Sequence, residues 1–295
     1  MKFVLTPFNP GCSVARVGFV RLESRGVFAR ESGRPGNAGP LRRTEFPAFA
    51  RNDSAGSVEE TSVAVAGIAM IASNAVREPC CELLPAFEHG TGHKVTASWG
   101  GTVDIVKRVE NGEVADIVII PDVRIDDLIT KGLIASRTDL VRSGVGVAVR
   151  VGVPKPDVSY VDALRRSLLA AESIVLSSGP SSLYMPALFE RLGIAAEVKP
   201  KIIQIAPGLG VGATLARGEG EIGFTQVSEL MSIEGIQYLG PLPAEIQCVT
   251  VFSAGLHAAA PRPDAARALL KFLTGPDAAA VFRRHGMEPA PEIVM

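Results

Sequence analysis

From residue 63 onward one local pattern recurs: a short apolar run, then an amphipathic stretch, then another apolar run. "VAVAGIAMIA" (63–72) leads into 76–89, where Val76, Cys80, Leu83, Leu84 and Phe87 share one helical face. The pattern continues with a strand near 94–98, a helix over 102–110, a strand over 116–120 and a helix over 124–131 that stops at Gly132. No such pair can bury its apolar face alone. Strands separated by helices must share a largely parallel sheet, because parallel pairing needs a crossover of helix length. The fold class is therefore α/β.

The pattern then breaks and restarts. "GVGVAVRVGVP" (144–154) alternates as one long strand. Behind it come a helix over 160–170, strand 173–177, helix 183–192, strand 201–205, helix 209–217 and strand 221–226. "IQCVTVFSAGL" (246–256) is a second long strand, and helices over 262–273 and 276–284 follow. Two groups joined by two long strands predict two lobes, residues 63–146 with 247–292 and residues 147–246. A cleft between them is the expected ligand site. Pro79 fits the first turn of its helix, whereas Pro85 is expected to kink it.

Residues 1–60 carry no such period. They are rich in Gly, Pro and Arg, and Pro7 and Pro10 break the apolar stretch after Lys2, with no A-x-A site behind it. They form a disordered or non-native N-terminal arm, with a targeting segment or sequence upstream of the true start as alternatives.

Composition narrows the function. Up to residue 58 there are nine Lys and Arg against four Asp and Glu, and beyond it 21 against 27. A mildly acidic body with 5% aromatic residues is poorly equipped for phosphate backbones or base stacking, so no nucleic-acid partner is expected. No apolar run reaches the ~20 residues of a membrane span. Cys12, Cys80, Cys81 and Cys248 show no metal or disulfide spacing, and His89 and His93 lie among glycines, so no metal or cofactor is expected.

Four strand-to-helix turns share one device. "IASNAV" (71–76), "WGGT" (99–102), "SSGPSSLY" (177–184) and "QIAPGLGVG" (204–212) each set small or hydroxyl residues at a helix start. Thr102, Ser73 or Asn74, and Ser181 with Ser182 are the expected caps; the last turn offers glycines alone. Helix N-termini supply free N–H donors and the positive end of the macrodipole, so they attract anions without a cation. Singly, each turn is ordinary capping. Asp104 opposes an anion at the second turn unless it points away. The glycines 208, 210 and 212 give GxGxG rather than GxGxxG, and no dinucleotide site is assigned. No GxSxG, HExxH or Walker motif occurs, so the chain is expected not to be an enzyme. An enzyme on this fold would instead show a strongly perturbed acid or histidine in the cleft.

"LLPAFEHGTGHKVTASWGGTVDIVKRVENGEVADIVIIPDVRIDDLITKGLI" resembles the type II periplasmic binding proteins, specifically the molybdate-binding proteins of ABC importers and their relatives. "SRTDLVRSGVGVAV", "LYMPALFERLGI", "LARGEGEIGFTQVSEL" and "ARALLKFLTGPDAAAVF" continue the match in order, over about 63–290. The resemblance implies two lobes, each a mixed, mostly parallel sheet flanked by helices. It also implies capture of a small oxyanion, molybdate or another small anion, for ABC-type import. The implied partners are that anion and an ABC permease, the implied state is a monomer, and the implied location is the periplasm, with the cytoplasm as alternative. Carried over by position, the binding set is Ser73, Asn74, Ala75, Gly101, Thr102, Ser181, Ser182, Tyr184, Gly208 (or Leu209) and Gln226. Gln226 stands where the family has a tyrosine, which implies altered selectivity. A small-molecule sensor on the same fold and an enzyme are the alternatives.

Overall fold

The computed structural model describes residues 67–206 and 208–290, all of them within one compact unit. The expected arm, 1–60, lies outside the described residues. No described helix is long and apolar enough to cross a membrane.

The first group runs β1 (Ile68–Ser73), α1 (Arg77–Thr91), β2 (Val95–Gly100), α2 (Thr102–Glu110), β3 (Ile117–Pro121) and α3 (Asp122–Thr130). β1 pairs in parallel with both β2 and β3. Then comes β4 (Ile134–Arg150), ten residues longer at its start than the alternation at 144 suggests. Its first part, to Gly144, pairs antiparallel with β9 (Val249–His257), which in turn pairs with β3. Its second part, from Val145, pairs antiparallel with β7 (Ile222–Gln226) and β8 (Ile236–Pro241). The strand thus leaves one sheet and enters the other between Gly144 and Val145.

The second group contains α4 (Val161–Ala170), β5 (Ile174–Leu176), α5 (Pro180–Arg191), α6 (Ala195–Val198), β6 (Ile202–Gln204) and α7 (Val211–Ala216). β5 lies parallel to β6 and β7. Helices α8 (Pro263–Leu273) and α9 (Pro276–Arg284) and the short β10 (Glu288–Pro289) return to the first group. The result is a two-lobed, mixed α/β molecule.

Each sheet is buried on both faces, which is why its strands are continuous apolar runs. Ile68, Met70, Ile117 and Ile119 pack with Phe87, Leu269 and Phe282, while Ile71, Val118 and Ile120 pack with Ile105 and Leu128. In the second lobe Phe224 and Ile174 meet Leu188 and Phe189 on one face, and Val175 meets Val211 and Leu215 on the other. Gly223 permits that second contact: a Cβ there would sit 2.5 Å from Val211 Cγ1 and 2.9 Å from Leu215 Cδ1. Pro85 lies inside α1, and the helix runs on past it to Thr91. Asp116, fully buried, accepts hydrogen bonds from Ala69 N (2.8 Å) and Arg262 N (2.6 Å) and pairs with the Arg262 guanidinium at 3.4 Å. It ties β1 and β3 to the segment entering α8, a structural task.

Candidate functional site

Every parallel strand ends in a turn that starts a helix, and the strands of a parallel sheet point the same way. These turns therefore gather along one edge of each sheet. Two contacts show the edges of the two lobes meeting. A Cβ on Gly101 would lie 3.2 Å from Ser178 Oγ, so the β2–α2 turn faces the β5–α5 turn directly. On the other side Ser228 Oγ, just beyond β7, donates to the Ala75 carbonyl, just beyond β1, at 2.7 Å.

The local structure at each turn differs from the expected capping. Gly101, not Thr102, caps α2, with extended backbone at φ −75° and ψ 149°. Thr102 becomes the first helical residue. Its side chain is 6% exposed, and its Oγ1 has no hydrogen-bond partner among the described residues. Gly179 caps α5, Pro180 takes the first helical position where its missing N–H costs nothing, and Ser181 and Ser182 fall inside the first turn. Ser181 Oγ shares a 2.9 Å hydrogen bond with Ser177 Oγ, which also accepts from Gly179 N at 3.1 Å. Ser182 Oγ donates to the Gly179 carbonyl at 2.7 Å. Ser73 caps a single 3-10 turn, Asn74–Val76, by accepting from Ala75 N at 3.3 Å. Asp104 is exposed and folds back over Gly100, its Oδ2 3.5 Å from where a Gly100 Cβ would stand, and its charge acts on Arg108. The acid thus points back over β2.

Two residues of the expected set have their polar groups committed elsewhere. The Tyr184 hydroxyl donates to the Ile246 carbonyl at 2.6 Å, and burial raises its pKa. Gln226 is fully buried beside the point where β4 changes sheets. The amide orientation that satisfies its surroundings has Nε2 donating to the Gly144 carbonyl (3.2 Å) and to Ser143 Oγ and O (both 3.1 Å), with the other amide atom toward Thr250 Oγ1. These bonds hold the strand crossing and leave no amide donor for a ligand. Gly208 sits at φ +86°, a left-handed turn residue ahead of α7.

Two residues were missed. Ser178 lies within the quoted "SSGPSSLY", but only the opposing lobe reveals its position. Glu229, half-buried, ends the 3-10 turn that follows β7. Desolvation pushes its carboxyl up to about 7, opposed by the nearby Thr225 hydroxyl. No linear motif in the sequence reveals this perturbation.

A concavity of about 850 Å³ lies elsewhere, where Pro186, Phe189, Glu190, Glu197 and Lys199 surround the end of α5. Two carboxylates against one lysine, at the negative end of a helix, make it a poor anion site.

A family model described as bacterial extracellular solute-binding protein matches residues 68–288, the whole of both lobes. The chain belongs to this family. It is 35% identical over 235 residues to a protein of Pseudomonas sp. named aconitate isomerase, covering 77% of this chain and 89% of that one. It is 23% identical over 230 residues to a molybdate-binding protein of Escherichia coli K12, covering 74% of this chain and 88% of that one. The fold matches a periplasmic molybdate-binding protein of Azotobacter vinelandii with a TM-score of 0.64 at 18% identity, covering 76% of this chain and all of the other. The isomerase overturns the expectation that the chain is not an enzyme. That expectation rested on missing linear motifs, and a site assembled from turns far apart in sequence needs none.

Proposed function

We propose that this solute-binding chain holds a small, multiply charged carboxylate of the aconitate type in its interlobe cleft and isomerises it. One observation carries the reading: a buried hydroxyl without a partner, Thr102 Oγ1, stands at the start of α2 while the adjacent Gly101 faces Ser178 of the opposite lobe. A donor in that position is satisfied by a ligand oxygen. The free N–H groups of α2 and α5 add oriented dipoles, and the extended Gly101 backbone lets a carboxylate approach. The working set is Ser73, Asn74, Ala75, Gly101, Thr102, Ser178, Ser181 and Ser182, with Gly208 at the edge. None is cationic, so orientation of neutral donors selects the ligand. The 35% identity to an aconitate isomerase supports the substrate class and the turnover. Family membership supports an extracytoplasmic location.

Capture of an oxyanion for an ABC permease is the second reading, favoured by the similarity to molybdate-binding proteins. One experiment separates them. Purified protein is incubated with cis-aconitate and the products are resolved by chromatography, while thermal shift is measured against aconitate, molybdate and sulfate. Isomerisation with a shift by aconitate supports the first reading. A shift by molybdate without turnover supports the second and refutes the first.

A further inference from the structure

The β5–α5 turn holds two buried hydroxyls whose protons do not balance. Ser177 is 6% exposed and Ser181 2%, and their Oγ atoms lie 2.9 Å apart. Ser177 Oγ also accepts from Gly179 N at 3.1 Å. Two hydroxyls carry two protons, and the bond between them uses one. The second proton has no acceptor among the described residues. The other groups of the turn are engaged: Gln204 Nε2 donates to the Ser177 carbonyl at 2.5 Å, and Ser182 N and Oγ donate to the Gly179 carbonyl at 3.1 and 2.7 Å. A buried hydroxyl proton without an acceptor carries a desolvation cost that a ligand oxygen removes. The place fits a ligand. Ser178, between Ser177 and the α5 cap Gly179, faces Gly101 of the other lobe. Next to Gly101 stands Thr102, whose buried hydroxyl also lacks a partner among the described residues.

We propose that Ser177 is a positioning residue that makes the Ser181 hydroxyl a donor to a ligand's anionic oxygen, a carboxylate on the reading given above, on which this inference rests. Ser177 Oγ takes the Gly179 N–H on one lone pair and gives its own proton to Ser181 Oγ. Ser181 then has a proton left to donate. The opposite polarity would leave that proton on Ser177, at the end of the strand. Ser181 instead stands in the first turn of α5, where free N–H groups and the positive end of the dipole draw an anion. A bound anion therefore favours the polarity that leaves the proton on Ser181. The run from N–H through two hydroxyls to the ligand also polarises each bond in turn. With Thr102 on one lobe and Ser181 on the other, each lobe contributes one buried hydroxyl. Such a pair of donors selects a fully ionised carboxylate, since a protonated one brings a proton that itself needs an acceptor.

The test is a double-mutant cycle in the full chain: wild type, Ser177→Ala, Ser181→Ala and both together, with Ser177→Thr as the conservative variant. Calorimetry measures binding of trans-aconitate and of molybdate. Ser181→Ala is expected to weaken trans-aconitate about ten- to a hundredfold, the loss of one hydrogen bond to charge. Ser177→Ala is expected to weaken it about tenfold, by freeing the Ser181 hydroxyl to turn away. The double variant is expected to lose no more than Ser181→Ala alone, because both residues act through one proton. Ser177→Thr, which keeps the hydroxyl, is expected to bind close to wild type. A Ser177→Ala protein that binds as wild type overturns the proposal. So does a double variant whose loss is the product of the single losses, and so does a Ser177→Thr variant that loses as much as Ser177→Ala, since the residue would then act by packing. A wild type that binds molybdate and not trans-aconitate refutes the carboxylate reading instead, and the same cycle with molybdate then decides whether Ser177 acts through Ser181. A wild type that binds neither overturns both.

Discussion

Thr102→Val should raise the stability of the ligand-free protein while weakening its ligand. Thr102 is 6% exposed, and its hydroxyl has no partner among the described residues. Burying a hydroxyl unpaired costs about 1–3 kcal/mol, and a site beside a cleft belongs at the low end. Valine keeps the shape and the β-branch, so helix propensity barely changes. The substitution should therefore return about 1 kcal/mol to the free protein, a rise of about 2–4 °C in Tm for a domain of this size. The bound state moves oppositely. A hydrogen bond to a charged ligand is worth about 1.5–3 kcal/mol, so affinity should fall about ten- to a hundredfold. Differential scanning calorimetry on the free protein and isothermal titration with trans-aconitate measure the two halves. A lower Tm with unchanged affinity would mean that the hydroxyl serves the fold, and the reasoning would fail.

Other outcomes follow from the same structure. Gly223→Ala should cost about 1–3 kcal/mol by denaturant unfolding, because its Cβ would press on Val211 and Leu215 of α7. Asp116→Asn should cost about 3 kcal/mol, since it removes the charge that Arg262 and two backbone N–H groups address. Gln226→Tyr, the residue the resemblance led one to expect there, should destabilise by about 1–3 kcal/mol rather than merely retune selectivity, because the amide holds the strand crossing and the site is fully buried. Stability should also fall with rising pH. Glu229 keeps its proton in the folded state up to about 7 against 4.5 in the unfolded chain. The protonated form's advantage is whole below 4.5 and lost as pH rises through 7, on the order of 3 kcal/mol, and Glu229→Gln should flatten that slope.

Much of the fold was legible because buried parallel strands are unbroken apolar runs and their helices are amphipathic. Ile117–Pro121 and Thr102–Glu110 need nothing beyond their own pattern. The start of β4 hid because "IASRTDLVRS" is polar and becomes a strand only through pairing with β9. β8, half-buried up to its exposed last residue Pro241, also gave no apolar run. At the site, sequence located the turns but not the side chains. Whether Thr102 caps α2 or follows its cap is a one-residue shift, and it turns a satisfied hydroxyl into an unpartnered one. Tyr184 and Gln226 were expected among the ligand groups, yet Ile246 and Gly144 take their bonds. Those partners lie 62 and 82 residues away along the chain, beyond any local pattern. Glu229 is perturbed by desolvation, which no linear motif records.

The central claim is that the ligand sits where the β2–α2 and β5–α5 turns face each other. Backbone amide NMR during titration with trans-aconitate tests it most directly. The account expects the largest shifts at Gly101, Thr102 and Val103 and at Ser178, Gly179, Ser181 and Ser182, saturating together with one Kd. Shifts confined to the concavity around Phe189, Glu190 and Lys199, with the turn amides unmoved, would contradict it.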